Sequence, residues 1–265
     1  GADFVSIALL DNFSWGNPEK PDVLGGLVRA CMGCADSAKG FGLPFISGKD
    51  SLYNEYNTGK GTISIPGTLL ISALGIIPDA RKKVSMPFKK EGNLIYTIGK
   101  TQPELGASHY AKLKNARGGK VPKVDFRAAK KTFSVLGRLL QKQDPDSKIV
   151  AACHDCSEGG IAVALAEMCF AAMKGAEIDL RNIALGEKIS RDDFVLFSES
   201  NSRFIVEVEA PRKKEFENAM KGVAVCEIGT VTKNKKLSVT GLGGERIMNE
   251  DVSGLKEAWK GTLWW

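Results

Sequence analysis

Short apolar runs typical of buried strands alternate with amphipathic helical stretches, and this alternation limits the possible folds more than any other feature of the chain. Helices are predicted at 22–39, which ends at Gly40, and at 125–143, 160–174 and 211–220. Strands are predicted at 4–10, 43–46, 93–99, 149–153, 204–208 and 223–230, with one bent strand or two strands inside 62–77. The pattern predicts an α/β architecture with α+β mixed sheets.

A basic stretch at 78–92 contains Pro78 and Pro87 and separates two regions rich in predicted strands. Proline and charge in a stretch without apolar periodicity are typical of a connection between domains. We therefore expect a partial N-terminal domain at 1–80, a linker at 81–92 and a C-terminal domain at 93–265.

The 265 residues carry a net charge of +6, which fits anionic ligands but also an ordinary solvated surface. The basic residues are not interleaved with aromatic ones, so we expect no binding to nucleic acid. No apolar run is long enough to cross a membrane, and the chain does not open with a signal-peptide pattern. Six cysteines without a secretory signal predict reduced thiols and a cytoplasmic protein. The helical pattern predicts that Cys31 lies on the core side of the first helix.

The first polar segment of interest is Phe45-Ile-Ser-Gly-Lys-Asp-Ser-Leu52. Gly48 and Lys49 resemble the end of a phosphate-binding P-loop, but the upstream glycine is one residue too far away. Ser47, Gly48, Lys49 and Ser51 could still form an anion site after a buried strand, because glycine allows close backbone approach and the others donate hydrogen bonds. The alternative is a polar β-turn.

The second segment is Ala151-Ala-Cys-His-Asp-Cys-Ser-Glu-Gly-Gly160, directly before a predicted helix. The first N–H groups of a helix are free and favour anions, and a carboxylate beside a phosphate usually indicates Mg²⁺. The alternative is that Ser157 or Asp155 simply caps the helix.

The third segment is Leu196-Phe-Ser-Glu-Ser-Asn-Ser-Arg-Phe204, in which Arg203 could pair with a phosphate or a carboxylate. An equally good interpretation is a polar loop that leads into an edge strand.

Four segments together resemble one family. They are Asp11-Asn-Phe-Ser-Trp-Gly-Asn-Pro-Glu-Lys-Pro21, Ser47-Gly-Lys-Asp-Ser-Leu52, His154-Asp-Cys-Ser-Glu-Gly-Gly160 and Ser198-Glu-Ser-Asn-Ser-Arg203. Their order and approximate spacing are similar to those of the phosphoribosylformylglycinamidine synthases, and the resemblance covers nearly the whole chain. It implies two tandem copies of an aminoimidazole-ribonucleotide-synthetase-like unit, of which this chain is most of the second.

The resemblance implies an ATP-dependent ligase of purine biosynthesis that converts formylglycinamide ribonucleotide to the amidine with glutamine-derived ammonia. It implies ATP and Mg²⁺ as cofactors, and it assigns no catalytic residue here. We expect two groups of ligand-binding residues and one metal ligand, Asp155. The expected substrate or phosphate-binding residues are Ser47, Gly48, Lys49, Asp50, Ser51 and Arg203, and the expected nucleotide-binding residues are His154, Ser157, Gly159 and Gly160. Asp155 and the segment 47–51 are expected to face one inter-domain cleft that accepts phosphate.

The family's first copy is absent from this sequence, so the resemblance implies a C-terminal fragment that is inactive alone. Its expected partners are the first half of the synthase and a glutaminase subunit or domain, because no Gly-x-Cys-x-Gly nucleophile turn is present. Two alternatives stay open. One is another enzyme of this fold, such as aminoimidazole ribonucleotide synthetase or selenophosphate synthetase, and the other is a non-catalytic nucleotide-binding scaffold.

Overall fold

A computed structural model describes residues 1–263 and divides the chain into two compact units. The N-terminal unit comprises Ala2–Pro78, and the C-terminal unit takes in the chain from Asp79 onward together with Gly1. Both units combine helices with mixed sheets, which confirms the predicted fold class. No helix in the described part of the chain is long and apolar enough to span a membrane.

The N-terminal unit has a three-stranded sheet in the order β2-β1-β5, a two-stranded β3-β4 hairpin and one long helix. Strand β1 pairs parallel to β2 and antiparallel to β5. The elements are β1 Ala8–Ser14, α1 Pro21–Phe41, β2 Phe45–Ser51, β3 Glu55–Asn57, β4 Thr62–Ser64 and β5 Thr68–Leu74.

Helix α1 begins at Pro21, where the fixed φ of proline suits the first turn, and Gly42 ends it in the left-handed conformation at φ 72°. The helix therefore runs beyond the predicted end at Gly40. None of its residues is buried, and Cys31 is exposed, so the prediction that Cys31 faces the core was wrong. The period of three and four residues identified an apolar stripe, but a stripe does not by itself say that anything covers it.

Two predicted polar breaks in this unit are strands. Residues 11–14, predicted as loop, continue β1, and residues 47–51, predicted as a break or β-turn, continue β2. The two stretches pair with each other in parallel register from Leu10↔Ser47 to Ser14↔Ser51. Backbone hydrogen bonds between neighbouring strands thus override the turn preference of Ser, Gly and Asp.

The C-terminal unit has a seven-stranded sheet in the order β12-β11-β8-β10-β6-β9-β7. Only β8 and β11 pair in parallel, and the other neighbours are antiparallel. The strands are β6 Leu94–Ile98, β7 Val150–Asp155, β8 Gly175–Asp179, β9 Phe204–Val208, β10 Val225–Thr232, β11 Lys236–Thr240 and β12 Arg246–Asp251. Strand β9 lies between β6 and β7, so the interpretation of residues 204–208 as an edge strand was wrong.

Helices cover both faces of this sheet. On one face the apolar side of α3 packs on Tyr96 and Val206, and on the other the almost wholly buried α4 packs beside Ile95 and Ile205. Neighbouring residues of one strand point to opposite faces, so the alternation within β6 and β9 separates the two cores. The helices are α2 His109–Leu113, α3 Phe126–Lys142, α4 Gly160–Ala172, α5 Asp192–Phe197, α6 Lys213–Ala219 and α7 Val252–Gly261.

Residues 81–92 belong to the C-terminal unit. Phe88 is only 2% exposed and packs in its core. The buried Glu207 carboxylate accepts hydrogen bonds from the backbone N–H groups of Lys89 and Lys90, at 2.6 and 2.9 Å. The division into 1–80, 81–92 and 93–265 stays a prediction.

Candidate functional site

The turn between β7 and α4 carries the second polar segment. Gly159 and Gly160 both have positive φ, 77° and 66°, which lets the chain reverse directly into the helix. A Cβ atom on Gly160 would lie 2.5 Å from the carbonyl oxygen of Ser198 and 2.7 Å from that of Leu196. The turn therefore packs closely against the end of α5, and a larger residue cannot take the place of Gly160 without displacing backbone.

The third polar segment follows α5 and is held by Arg203. Its guanidinium donates hydrogen bonds to the carbonyl oxygens of Ser200 and Ser198, at 2.9 and 2.5 Å, and to the Thr101 hydroxyl at 2.9 Å. Arg203 is only 2% exposed, and this burial lowers the pKa of its guanidinium. The structure gives Arg203 a role in shaping the loop, and its contact with a substrate phosphate stays a prediction.

Glu199 joins the second and third segments. One of its carboxylate oxygens accepts hydrogen bonds from the backbone N–H of Gly159 at 2.9 Å and from that of His109 at 3.0 Å. The N–H of Gly159, the residue directly before α4, where the sequence predicted an external anion, is thus already bonded to a carboxylate of the protein. Neither Ser157 nor Asp155 caps α4, because the helix has no side-chain cap.

A cavity of about 350 Å³ opens between these segments and is called the turn cavity here. Three carboxylates line it, so it repels a free phosphate unless a cation lies between. Its lining includes Asp155, Ser157, Glu158, Glu199, Asn201 and Arg203. The structure therefore brings together two segments, 151–160 and 196–204, that 35 residues separate in the sequence.

Asp155 is an accessible carboxylate of the turn with identified hydrogen-bond partners. Its side chain is 59% exposed, and Ser157 donates a hydrogen bond to it at 2.5 Å. Burial of part of the group opposes ionisation, but the hydrogen bonds and the neighbouring His154 hold the pKa of the Asp155 carboxyl below its ordinary value. An ionised carboxylate at the mouth of a cavity is a suitable oxygen ligand for Mg²⁺.

The protein supplies only part of such a metal site. Within residues 1–263 no three His, Cys, Asp or Glu side chains are grouped to hold a metal ion. A Mg²⁺ ion at Asp155 would take its other ligands from nucleotide phosphates and water, as Mg²⁺ commonly does beside nucleotides. The residues present fit this partial role.

His154 points to α4. Its Nε2 lies 2.7 Å from a carboxylate oxygen of Glu167, and its Nδ1 lies 3.4 Å from one of Asp155. The ring therefore links β7 to α4 between two carboxylates, and its predicted contact with a nucleotide is not tested by this geometry. The nearby thiols are protected, since burial raises the pKa of Cys153 to about 12 and that of Cys156 to about 11.

The first polar segment lies in the N-terminal unit on strand β2. Alternation along the strand puts Ser47, Lys49 and Ser51 on one face and Gly48 and Asp50 on the other. Lys49 donates a hydrogen bond to the hydroxyl of Ser51. The three predicted donors thus share a face, as a phosphate site requires.

The position of Asp11 explains why residue 48 is a glycine. A Cβ atom there would lie 1.9 Å from a carboxylate oxygen of Asp11, its partner across the β1–β2 pair. The absence of a side chain at Gly48 makes room for Asp11, which the sequence analysis did not name as a site residue. The expectation that this segment and the turn cavity face one cleft stays a prediction.

A match to a family model places the chain in a family. Residues 90–241 match the model described as "AIR synthase related protein, C-terminal domain", and the chain belongs to this family.

Similarity to individual proteins extends over almost the whole chain. It is 32% identical over 260 residues to the phosphoribosylformylglycinamidine synthase subunit PurL of Alkaliphilus metalliredigens, which covers 97% of this chain and 33% of that protein. PurL of Thermococcus sibiricus is also 32% identical, over 94% of this chain and 33% of its own length. The chain therefore spans about a third of the curated relatives it matches.

Solved structures support the fold. Thermotoga maritima PurL complexed with FGAR matches with a TM-score of 0.70 at 18% identity, over 94% of this chain and 39% of that chain. Escherichia coli HypE, a hydrogenase maturation protein, matches with a TM-score of 0.61 at 16% identity, over 92% of this chain and 72% of that one. At these identities the likeness concerns the fold alone.

Proposed function

We propose that the chain is part of a phosphoribosylformylglycinamidine synthase and contributes to the ATP-dependent conversion of formylglycinamide ribonucleotide to formylglycinamidine ribonucleotide. The observation that carries the proposal is the 32% identity to PurL over 97% of the chain. Structures of Thermotoga maritima PurL complexed with ATP and with FGAR support both ligands for the proposed enzyme. Glutamine-derived ammonia and a partner glutaminase belong to the proposal, and the structure of PurLQS from Thermotoga maritima supports further subunits.

In the proposed reaction, ATP activates the amide oxygen of the substrate and ammonia then displaces phosphate. Such a reaction depends on positioning and on electrostatic stabilisation of the transferred phosphoryl group. We propose that Asp155 holds nucleotide-bound Mg²⁺ at the turn cavity and that Ser157, Gly159 and Gly160 contact the nucleotide. Mg²⁺ would supply neutralisation of phosphate charge.

We revise the proposed ligand contacts of two residues, His154 and Arg203. His154 is engaged by Glu167 and Arg203 by backbone carbonyls, so we propose that both position the turn and the loop around the ligand. On β2 we retain Ser47, Gly48, Lys49, Asp50 and Ser51 as the proposed substrate-binding segment, with Lys49 as the phosphate-facing cation. The shared face of Ser47, Lys49 and Ser51 supports this assignment.

Removing the gene product from its cell tests the function. Loss of the protein should create a purine requirement and cause formylglycinamide ribonucleotide to accumulate, because its conversion is blocked. A strain that grows normally without purines, in the absence of a second synthase, would contradict the proposal.

The Asp155 assignment is tested by Mg-ATP binding to the full chain. Asp155→Asn should weaken Mg-ATP binding at least about tenfold while leaving unfolding almost unchanged, since the side chain is mostly exposed. Asp146→Asn is the matched control, because it makes the same change on an exposed loop outside the turn cavity. Unchanged Mg-ATP affinity in Asp155→Asn would remove Asp155 from the site.

A nucleotide-binding scaffold is the second candidate. Glu199 already satisfies the Gly159 N–H, so the turn offers one donor fewer to stabilise a transferred phosphoryl group, which favours a role without catalysis. Exchange of labelled nucleotide separates the two functions: release during turnover supports the enzyme, and nucleotide that stays bound through many turnovers supports the scaffold.

A further inference from the structure

A second cavity, of about 370 Å³, lies in the C-terminal unit beyond the loop 200–202, and it is called the basic cavity here. Asn201 and Ser202 line both this cavity and the turn cavity, so one loop separates them. Its walls come from the end of β6, the first turns of α3, this loop and residues 222–224. Nothing in the proposed function uses it.

The lining is strongly cationic. Lys100, Lys123, Arg127 and Lys131 contribute four positive charges, and Glu104 and Asp125 two negative ones, which leaves 4 − 2 = +2. None of these four cations forms an ion pair or a side-chain hydrogen bond with any residue that the structure describes between 1 and 263. Unpaired like charges around one cavity repel each other, and a bound anion relieves that repulsion.

The start of helix α3 also borders the cavity. The Asp125 carboxylate already caps this 17-residue helix by accepting a hydrogen bond from the Ala128 N–H at 3.0 Å, so the lining cations, and not the helix dipole, provide the positive charge. Gly222, with φ 84°, passes so close to Lys131 that a Cβ atom there would lie 2.6 Å from the ammonium nitrogen. Glycine at this position therefore lets Lys131 lie along the cavity wall.

A second observation concerns Glu104, which lines the cavity and is 92% buried, since only 8% of it is exposed. One carboxylate oxygen accepts a hydrogen bond from the Lys123 N–H at 3.3 Å. The other, Oε2, is buried without a partner among the described residues. A buried polar atom without a partner is costly, and a ligand hydroxyl would supply the missing donor after a small adjustment of the side chain.

We propose that the basic cavity binds a small phosphate ester that also carries hydroxyl groups, with the phosphate held by the lining cations and a hydroxyl donated to Glu104. The positive charge of the lining selects the phosphate group. The buried Glu104 carboxylate favours a phosphate ester that carries hydroxyl groups over inorganic phosphate. Because loop 200–202 is shared with the turn cavity, occupancy of one cavity would order a wall of the other.

Calorimetric titration of the full chain with ribose 5-phosphate tests the proposal, with ribose and inorganic phosphate as comparison probes. We expect saturable binding of one ribose 5-phosphate, weaker binding of inorganic phosphate and none of ribose. Lys131→Gln together with Arg127→Gln should weaken binding at least about tenfold, because two charged donors are lost. Lys131→Arg should retain binding, and Glu104→Gln should reduce the preference for ribose 5-phosphate over phosphate.

The control is Lys130→Gln, which removes the neighbouring exposed charge of α3 outside the cavity and should change the affinity less than about twofold. Three results would overturn the proposal. They are the absence of saturable ribose 5-phosphate binding, an equal loss in Lys130→Gln, and a full loss in Asp155→Asn, which would place the ligand in the turn cavity instead. Circular dichroism confirms that each variant is folded.

Discussion

Replacing Arg203 with methionine should destabilise the C-terminal unit by about 3–5 kcal/mol. Three hydrogen bonds from a charged donor would be lost, each of about 1.5–3 kcal/mol, and the carbonyls of Ser198 and Ser200 would be left with an unmet acceptor. The loss is partly offset, because methionine does not require the desolvation of a buried guanidinium. Arg203→Lys should fall between, since one ammonium cannot reproduce the planar fork.

Urea-dependent hydrogen exchange on peptides from β7 and β9 reports this unit directly. With a urea dependence of about 2–3 kcal/mol per molar, the expected loss lowers the midpoint by about 1–2.5 M. Arg181→Met is the matched control, because Arg181 is exposed and pairs only with its neighbour Asp179, so its midpoint should not move measurably. If Arg203→Met keeps the wild-type midpoint but loses ligand affinity, Arg203 contacts substrate and does not hold the loop.

Three further predictions concern buried groups of the C-terminal unit. Glu207→Gln should lower the free energy of unfolding by about 1–3 kcal/mol in the same exchange assay. The charged acceptor of the N–H groups of Lys89 and Lys90 becomes neutral, and one N–H of the new side-chain amide faces another donor. Unchanged hydrogen exchange at 88–93 would contradict this. Gly160→Ala should cost about 2 kcal/mol or more, because its φ of 66° is unfavourable for alanine and its Cβ would approach the Ser198 carbonyl; a wild-type melting temperature would refute it. Cys153, whose pKa is raised to about 12 by burial, should resist alkylation at pH 8 while exposed Cys31 reacts, as peptide mass mapping would show; equal rates would contradict the burial argument.

Strong periodicity made part of the fold predictable. Strand β9 was predicted at 204–208 and observed at Phe204–Val208, and helix α3 was predicted at 125–143 and observed at Phe126–Lys142. Strand β12 had no such signal, because it lies at the sheet edge with mostly exposed residues. Helix α5 has only 6 residues, too few to show a helical period.

The sequence indicated which segments carry the candidate site residues, but it did not indicate which of these residues contact each other. Asp155, Ser157 and Arg203 were expected to bind ligands because polar residues cluster where strands end or begin. Glu199 was missed, since a glutamate in a polar loop carries no local sign that it will accept the N–H of Gly159, 40 residues earlier in the chain. Which donor meets which acceptor depends on strand pairing, which the local sequence pattern does not reveal.

The pairing of β7 with β9 explains why the two segments meet. The two strands are antiparallel, so the carboxyl end of β7 lies beside the amino end of β9. In antiparallel register, Asp155 at the end of β7 lies opposite Phe204 at the start of β9. The turn that follows β7 must therefore lie beside the loop that precedes β9, and Glu199 and Arg203 come within reach of the turn for that reason. Because the strand register brings this turn and this loop together, a substitution that shifts β9 along β7 should disturb the turn cavity without replacing any residue that lines it.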